Sequence, residues 1–180
     1  MKVLEAQPLS AQAFAPYGWV LGQPMPEAAD ADADFVFSNP ATDFWREHIF
    51  DVGPGGEVEI LNLHYRDAGR QLDSLEAHDL TQQALMPLTG EVLQAVACAG
   101  ADGMPDAGSL AVFRIPVGQG ICMRPGCWHA TRIVDDPVAC IMLTRVSTTL
   151  DLIAHLKHGR PATESRFAAV PAFQVRVARS

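Results

Sequence analysis

The chain has 180 residues, which is enough to bury one sizeable core and rather short for two, so we predict one domain over residues 1–180. Apolar residues make up 48% of the sequence and charged residues 19%, a composition that argues against disorder. The formal net charge of −8 disfavours a nucleic-acid partner, which would require a basic face.

The start of the chain has no basic segment followed by an apolar stretch, and no run approaches the length that spans a bilayer. We therefore predict a cytoplasmic protein without membrane association. The cysteines lack C-x-x-C spacing, so neither a zinc knuckle nor a redox pair is indicated. A small buried hydrophobic residue is the favoured use of each, and a reactive role stays open for Cys122 and Cys127. The cysteines are Cys98, Cys122, Cys127 and Cys140.

The first 65 residues predict one short helix followed by strands. Ser10 is a plausible N-cap for a turn of helix that Pro16 and Gly18 end. Residues 23–34 are rich in Pro, Ala and Asp without periodicity and predict an exposed loop. Strands are predicted at residues 19–21, 35–37, 44–52 and 57–65. We expect the last two of these to pair across the glycine-rich turn between them.

The remainder of the chain predicts more strands, one helix and a tail. A helix is expected over residues 148–157, capped by Thr148 or Thr149 and ended by Gly159. The tail, residues 160–180, is expected to add an edge strand at its end. Many short strands separated by Gly, Pro and Asp turns predict an all-β barrel or sandwich. The strands are predicted at residues 75–87, 91–99, 110–115, 130–134, 138–146 and 173–177.

Two motifs carry potential catalytic or metal-binding side chains. The first reads Glu76-x-His78, with Gln83 after four further residues. Because residues i and i+2 point to the same face of a strand, Glu76 and His78 should face inward together. The second motif, Pro125-Gly126-x-x-His129, makes a tight turn and returns the chain to the sheet near His129.

The two motifs resemble those of a cupin barrel in which two of the usual metal ligands are exchanged. We therefore expect Glu76, His78, Gln83 and His129 to line one cavity. Two imidazoles, a carboxylate and an amide oxygen could hold a divalent ion, and the sequence does not distinguish nickel, manganese, zinc and iron. A catalytic quartet without metal and a purely structural polar cluster are the alternatives.

Three stretches of the chain resemble the ureidoglycolate lyase family, a branch of the cupin superfamily. The resemblance implies an all-β, cupin-like barrel that forms a homodimer and acts on a small molecule. It also implies cleavage of ureidoglycolate into glyoxylate and urea, late in purine or allantoin breakdown. The stretches are residues 8–18, residues 75–92, which carry the most specific signature, and Gly120 with Trp128-His129.

Cleaving ureidoglycolate requires a base for the hydroxyl proton, an acid for the departing urea nitrogen and a cation for the carboxylate. We assign the base to His78 or His129, the acid or a ligand role to Glu76, and an orienting role to Gln83. Arginine suits the carboxylate because its fork of donors binds both oxygens. The candidates for substrate binding near the motifs are Arg66, Arg124, Arg132 and His64.

Two other functions stay open. The sequence has Ala130-Thr131 where members of the family often carry histidine and proline, and Leu63 where they tend to carry arginine. These differences favour a cupin enzyme that acts on another small carboxylated or ureido compound. A non-catalytic small-molecule-binding cupin is the third possibility, although no helix-turn-helix or basic segment of a sensor is present.

Overall fold

The computed structural model describes residues 1–27, 35–135 and 137–178. Residues 28–34 of the predicted loop lie outside this range, and residues 23–27 form neither helix nor strand. The helices are α1 (Ala11–Phe14) and α2 (Val146–His158). The strands are β1 (Lys2–Pro8), β2 (Gly18–Leu21), β3 (Val36–Ser38), β4 (Asp43–Trp45), β5 (Val58–Tyr65), β6 (Gln71–His78), β7 (Gln83–Pro87), β8 (Val92–Ala97), β9 (Ala111–Ile115), β10 (Gly120–Met123), β11 (Trp128–Ile133), β12 (Val138–Arg145) and β13 (Ser165–Arg176).

The strands form the predicted all-β, cupin-like architecture. Six of them close into a barrel in the order β1-β13-β6-β11-β8-β9, in which β1 and β9 pair to complete the ring. A five-stranded sheet in the order β2-β10-β7-β12-β5 packs beside the barrel, and β3 pairs with β4. No helix among the described residues is long and apolar enough to cross a membrane.

The fold has two apolar cores, and β6 borders both of them. One core fills the six-stranded barrel with residues from all six strands, including Leu75, Ala77 and Trp128. The other lies between the barrel and the five-stranded sheet and includes Leu85 and Phe113. Because side chains alternate along a strand, the residues of β6 that flank Leu75 and Ala77 face the five-stranded sheet. Those residues carry the first motif.

The helix boundaries confirm part of the prediction. Ser10 caps α1, since its hydroxyl accepts from the backbone N–H of Ala13 at 3.3 Å. Gly159 ends α2 with a left-handed φ of 63°, as predicted. The predicted cap of α2 is wrong, because the helix begins at Val146. Thr148 therefore lies within the first turn, where its hydroxyl donates to Glu164 Oε2 at 2.6 Å.

Two predicted strand pairings are also wrong. β5 does not pair with residues 44–52; it pairs with β12 over eight positions, from Val58 with Arg145 to Tyr65 with Val138. That longer register lets Leu61 and Leu63 pack against the core between the two sheets. The predicted edge strand at residues 173–177 belongs to β13, which lies between β1 and β6 inside the barrel wall. β1 was not predicted, because its one buried residue is Ala6 and no apolar alternation marks it.

Candidate active site

Glu76, His78 and His129 come together where β6 meets β11, and we refer to them as the triad. The strands share one register position, which places His129 opposite Glu76. Nε2 of His129 lies 3.6 Å from Oε1 of Glu76, and the ring centroids of the two histidines are 5.2 Å apart. One ligand atom from each residue lies within 4.8 Å of the others. The predicted convergence of these three side chains is therefore present.

Both histidines use Nδ1 to hold their rings in place. Nδ1 of His129 lies 3.0 Å from the carbonyl oxygen of Cys127. A carbonyl only accepts, so this nitrogen carries the proton and Nε2 of the neutral ring keeps its lone pair for the site. Nδ1 of His78 lies 2.9 Å from Oγ of Ser165. Both rings are thus anchored through Nδ1, and Nε2 takes no part in these two bonds.

His78 is neutral over the ordinary pH range. Burial, and to a smaller extent the neighbouring His129, lower its pKa to about 3. Only 4% of the residue is exposed. A neutral imidazole with an available lone pair is the form that binds metal ions.

The triad fits a divalent metal ion. Two ligands that share an ion at about 2.1 Å each lie at most about 4.2 Å apart. The ligand atoms of the triad lie within 4.8 Å of one another, so a small inward movement of the side chains would bring all three onto one ion. Metal-bound histidines also usually donate their second ring N–H to a carbonyl or another oxygen, as both histidines can here. The donor set of two nitrogens and one carboxylate oxygen leaves coordination positions open for a substrate.

Gln83 remains a prediction as a fourth member of the site. It begins β7 opposite Met123, and 8% of the residue is exposed. It shares a face of β7 with Leu85, which packs between the two sheets, so it points into the space that Glu76 and His78 also face. No hydrogen bond among the described residues joins its amide to the triad.

The triad borders a cavity of about 510 Å³ that opens to solvent. Glu76 and His129 line the cavity, whereas His78, which is 4% exposed, does not. The side chain of Glu76 is 34% exposed, which places its carboxylate between the buried rings and the open space. The lining residues are His64, Tyr65, Arg66, Asp67, Ser74, Leu75, Glu76, His129, Ala130, Thr131, Arg132 and Phe167.

Three of the four predicted substrate-binding residues line this cavity. Arg132 is partly buried, and its Nε lies 3.2 Å from Oδ2 of Asp67. Arg66 and His64 are exposed at the wall that β5 contributes. Arg124 is elsewhere: its guanidinium lies over the ring of Trp19 and donates to the carbonyl of Ala15 at 3.2 Å. It does not line the cavity.

Three other polar residues at the site were missed in the sequence. Ser165 anchors His78 from β13, 87 positions away in sequence, and no local pattern indicates that contact. Tyr65 and Thr131 line the cavity. Tyr65 follows the inward alternation of Leu61 and Leu63 on β5, so this pattern could have identified it as an inward residue.

The cysteines have the buried role that was favoured. Cys122, Cys127 and Cys140 are buried, and Cys98 is half-buried. Burial raises the pKa of Cys122 and of Cys127 to about 12, which keeps both as unreactive thiols. A reactive role for either residue is therefore not supported.

Comparison with known proteins identifies the family. A dTDP sugar isomerase from Desulfovibrio desulfuricans G20 aligns with a TM-score of 0.41 and 12% identity, over 74% of this chain and 78% of that chain. A ureidoglycolate lyase of Chelativorans sp. (strain BNC1) is 31% identical over 134 residues, which cover 72% of this chain and 76% of the relative. One of Rhodobacter capsulatus is 31% identical over 132 residues, with 72% and 77% covered.

The family model for ureidoglycolate lyase matches residues 1–159, which include both motifs and every member of the triad. The chain therefore belongs to the ureidoglycolate lyase family.

Proposed function

We propose that the protein is a lyase that cleaves ureidoglycolate into glyoxylate and urea. One observation carries the proposal: a carboxylate and an imidazole, Glu76 and His129, face each other at 3.6 Å on the wall of a cavity that also presents Arg132. The reaction needs an acid, a base and a cation close together, and this wall supplies all three. The relatives at 31% identity named ureidoglycolate lyase support the choice of substrate.

Arg132 is the best-placed group for the substrate carboxylate. Its Nε is buried and has no hydrogen bond of good geometry among the described residues, although Asp67 is 3.2 Å away. Its Nη1 donates to the carbonyl of Thr131 at 2.9 Å, which fixes the plane of the guanidinium. Arg132 as a residue lines the cavity, and a guanidinium binds a carboxylate through charge-assisted hydrogen bonds. Arg66 at the rim adds a second positive charge.

Glu76 and His129 are the groups that can exchange protons with the substrate, because they line the cavity and His78 does not. In this proposal His129 Nε2 takes the hydroxyl proton as the carbonyl of glyoxylate forms. The electron pair of the breaking C–N bond goes to the urea nitrogen, which Glu76 protonates. His78 and Gln83 orient the site from behind this pair.

We further propose that the triad holds a divalent ion, because its geometry and donor set fit one. When bound, the ion would supply polarisation of the substrate hydroxyl and carboxylate. Glu76, His78 and His129 would be its ligands, through one carboxylate oxygen and the two Nε2 atoms. The second carboxylate oxygen of Glu76 would then be the protein atom left to carry the proton between hydroxyl and leaving nitrogen.

The test is to incubate the purified protein with ureidoglycolate and follow urea and glyoxylate. We expect release well above spontaneous decay and about 10²–10⁴-fold slower release for His129→Ala. His158→Ala, which removes an exposed imidazole at the end of α2, is the matched control and should behave as wild type. If ureidoglycolate decays at its spontaneous rate in the presence of the wild-type protein, the lyase proposal is refuted. Activity that survives complete chelation would refute the metal role alone.

We propose that the chain assembles as a homodimer, as the resemblance implies. Exposed apolar side chains on β5 and on α2 support this, because β5 is an edge strand of the five-stranded sheet. Val58 and Ile60 on β5 are 53% and 70% exposed, and Leu150 and Leu156 on α2 are 61% and 70% exposed. Light scattering during gel filtration should give twice the mass of the chain. A monomer mass would refute the proposal.

A further inference from the structure

Glu164 lies next to the residue that anchors His78, and the start of α2 holds its side chain. It directly precedes Ser165, whose Oγ lies 2.9 Å from Nδ1 of His78. Both Glu164 and Ser165 lie beyond residues 1–159, the stretch that the family model matches. We propose that Glu164 is a positioning residue, which holds Ser165 in place and thereby orients the ring of His78 toward a metal ion. The inference rests on the metal role proposed for the triad.

The carboxylate of Glu164 is bound by the first turn of α2. Its Oε2 accepts from the hydroxyl of Thr148 at 2.6 Å and from that of Ser147 at 3.0 Å. Ser147 accepts in turn from Nε of Arg145 at 2.7 Å, and the same Nε lies 3.8 Å from Oε2 of Glu164. The side chain of Glu164 is 17% exposed and Thr148 is buried, so water competes little for these bonds. Hydrogen bonds to an ionised acceptor are the stronger kind, so α2 fixes this carboxylate.

The backbone of Glu164 is bound on both sides as well. Its N–H donates to Oδ2 of Asp151 on α2 at 3.0 Å, and its carbonyl oxygen accepts from the backbone N–H of Asp79 at 3.1 Å. Asp79 directly follows His78, and Ser165 lies opposite His78 in the register of β13 and β6. Glu164 therefore joins α2 to the residue that follows His78 and to the residue that bonds its ring.

The place of the Ser165 hydroxyl decides how the ring of His78 is oriented. A hydrogen bond at Nδ1 fixes the rotation of the ring and its tautomer, which decides whether Nε2 presents its lone pair to the triad. Hydrogen bonds weaken as distance and angle depart from the preferred geometry, so a displaced Ser165 would release the ring. Glu164 does not line the cavity, so its effect on the site is transmitted through Ser165.

The first experiment measures the zinc affinity of the full chain by competition with a chromophoric chelator. Glu164→Ala removes the acceptor of the two α2 hydroxyls and should weaken binding about tenfold, because groups that orient a metal-binding histidine contribute about 10–100-fold. Glu164→Gln keeps an acceptor oxygen and should stay within about threefold of wild type. Equal affinity of Glu164→Ala and the wild-type protein would overturn the inference.

Glu91→Ala is the matched control for the loss of a carboxylate. It breaks the ion pair of Glu91 with Arg114 at 2.6 Å, and neither residue lines the cavity. It should keep the zinc affinity of the wild-type protein. A loss of affinity as large as that of Glu164→Ala would overturn the inference, because a general loss of packing would then explain both.

A double substitution tests the route through Ser165. If Glu164 acts by holding Ser165, its removal has little left to change once the Ser165 hydroxyl is gone. We expect the variant that combines Glu164→Ala with Ser165→Ala to bind zinc within about twofold of Ser165→Ala alone, since residues that act through one contact are not additive. Losses that multiply in the double variant would overturn the inference.

The imidazole of His78 gives a readout that needs no metal. A ring held at Nδ1 keeps one tautomer, so its two ring nitrogens have well separated NMR resonances, whereas a released ring exchanges between tautomers and the resonances converge. We expect convergence in metal-free Glu164→Ala, and resonances like those of the wild-type protein in Glu164→Gln and Glu91→Ala. Unchanged resonances in Glu164→Ala would overturn the inference. If the wild-type protein binds no zinc, the metal role is refuted and these spectra decide the positioning of the ring.

These measurements need no turnover, so they distinguish the positioning role from the lyase. If Glu164→Ala shows both changes while the wild-type protein leaves ureidoglycolate at its spontaneous decay rate, the lyase is refuted and the positioning stands. If the wild-type protein cleaves ureidoglycolate and Glu164→Ala keeps its zinc affinity and its His78 resonances, the positioning is refuted and the lyase stands.

Discussion

Two polar clusters lie on opposite faces of β7 and its neighbours, and their hydrogen bonding differs. In the first, which we call the Gln82 cluster, one amide oxygen is shared by three groups. Oε1 of Gln82 lies 2.8 Å from Nε2 of His48, 2.9 Å from the backbone N of Asp51 and 3.4 Å from Sγ of Cys122. The second cluster is the triad, where Nε2 of His129 lies 3.6 Å from Oε1 of Glu76.

The difference shows which polar cluster is available for chemistry. In the Gln82 cluster the buried groups satisfy one another, which is the usual condition of polar atoms inside a fold. In the triad Nδ1 of each histidine makes the anchoring hydrogen bond, and Nε2 is left for a ligand beside an open cavity. Gln82 immediately precedes β7 and contacts Cys122, which alternates on β10 with the core residues Ile121 and Met123. Gln83 shares the core face with Leu85, so the two adjacent amides lie on different faces.

The sharpest test of the comparison is Glu76→Gln, which keeps the shape of the side chain and removes its charge and its proton. We expect kcat for ureidoglycolate to fall about 10²–10⁴-fold, because the acid of the reaction is lost. The melting temperature should change little, since the carboxylate is partly exposed and its nearest imidazole is 3.6 Å away. Steady-state urea release and thermal unfolding measure the two quantities. Activity within threefold of wild type would contradict the assignment.

Arg132→Met should have the next largest effect. It removes the partly buried guanidinium from the cavity while it keeps the apolar part of the side chain. We expect KM for ureidoglycolate to rise about 10–100-fold, because a charge-assisted contact to the carboxylate contributes about 1.5–3 kcal/mol. Arg124→Met is the matched control, since Arg124 lies over Trp19 outside the cavity. An equal rise of KM in both variants would contradict the placement of the carboxylate at Arg132.

Gln82→Leu should lower stability rather than activity. The substitution leaves the partly buried donors that share the amide oxygen without an acceptor, which costs about 1–3 kcal/mol. Urea denaturation should show that loss, while kcat per folded molecule stays within about twofold of wild type.

Gln83→Leu is the matched control for that loss, because it removes the adjacent amide, whose side chain makes no hydrogen bond among the described residues. It should leave the free energy of unfolding nearly unchanged. A loss of stability equal to that of Gln82→Leu would contradict the distinction between the two faces.

The smallest expected effect is that of Ser165→Ala, which removes the hydroxyl beside Nδ1 of His78 at 2.9 Å. Groups that orient a metal-binding histidine typically contribute about 10–100-fold in affinity or activity. We expect a fall near the lower end, because burial still holds the ring. Metal content measured after dialysis distinguishes positioning from a general loss of structure. Ser165→Thr, which keeps the hydroxyl, should retain more metal than Ser165→Ala, and equal loss in both would contradict the positioning role.

Much of the site could be predicted because its signals are local. Glu76 and His78 share a face because they are two residues apart on a strand, and that geometry holds wherever the strand lies. The Pro125-Gly126 turn starts the strand that carries His129. The all-β class also follows from local patterns, since short apolar runs alternate with turn residues. The resemblance to the family rested on the same motifs and was confirmed over residues 1–159.

The amino-acid sequence by itself determined which residue types share a strand face and where turns and the end of α2 fall, because those properties depend on neighbours along the chain. Only the tertiary structure decided that β6 lies beside β11, that Ser165 supports His78 and that Arg132 rather than Arg124 borders the cavity. These contacts join strands far apart in sequence. Their register is chosen by the burial of whole sheet faces, and no local pattern records that choice.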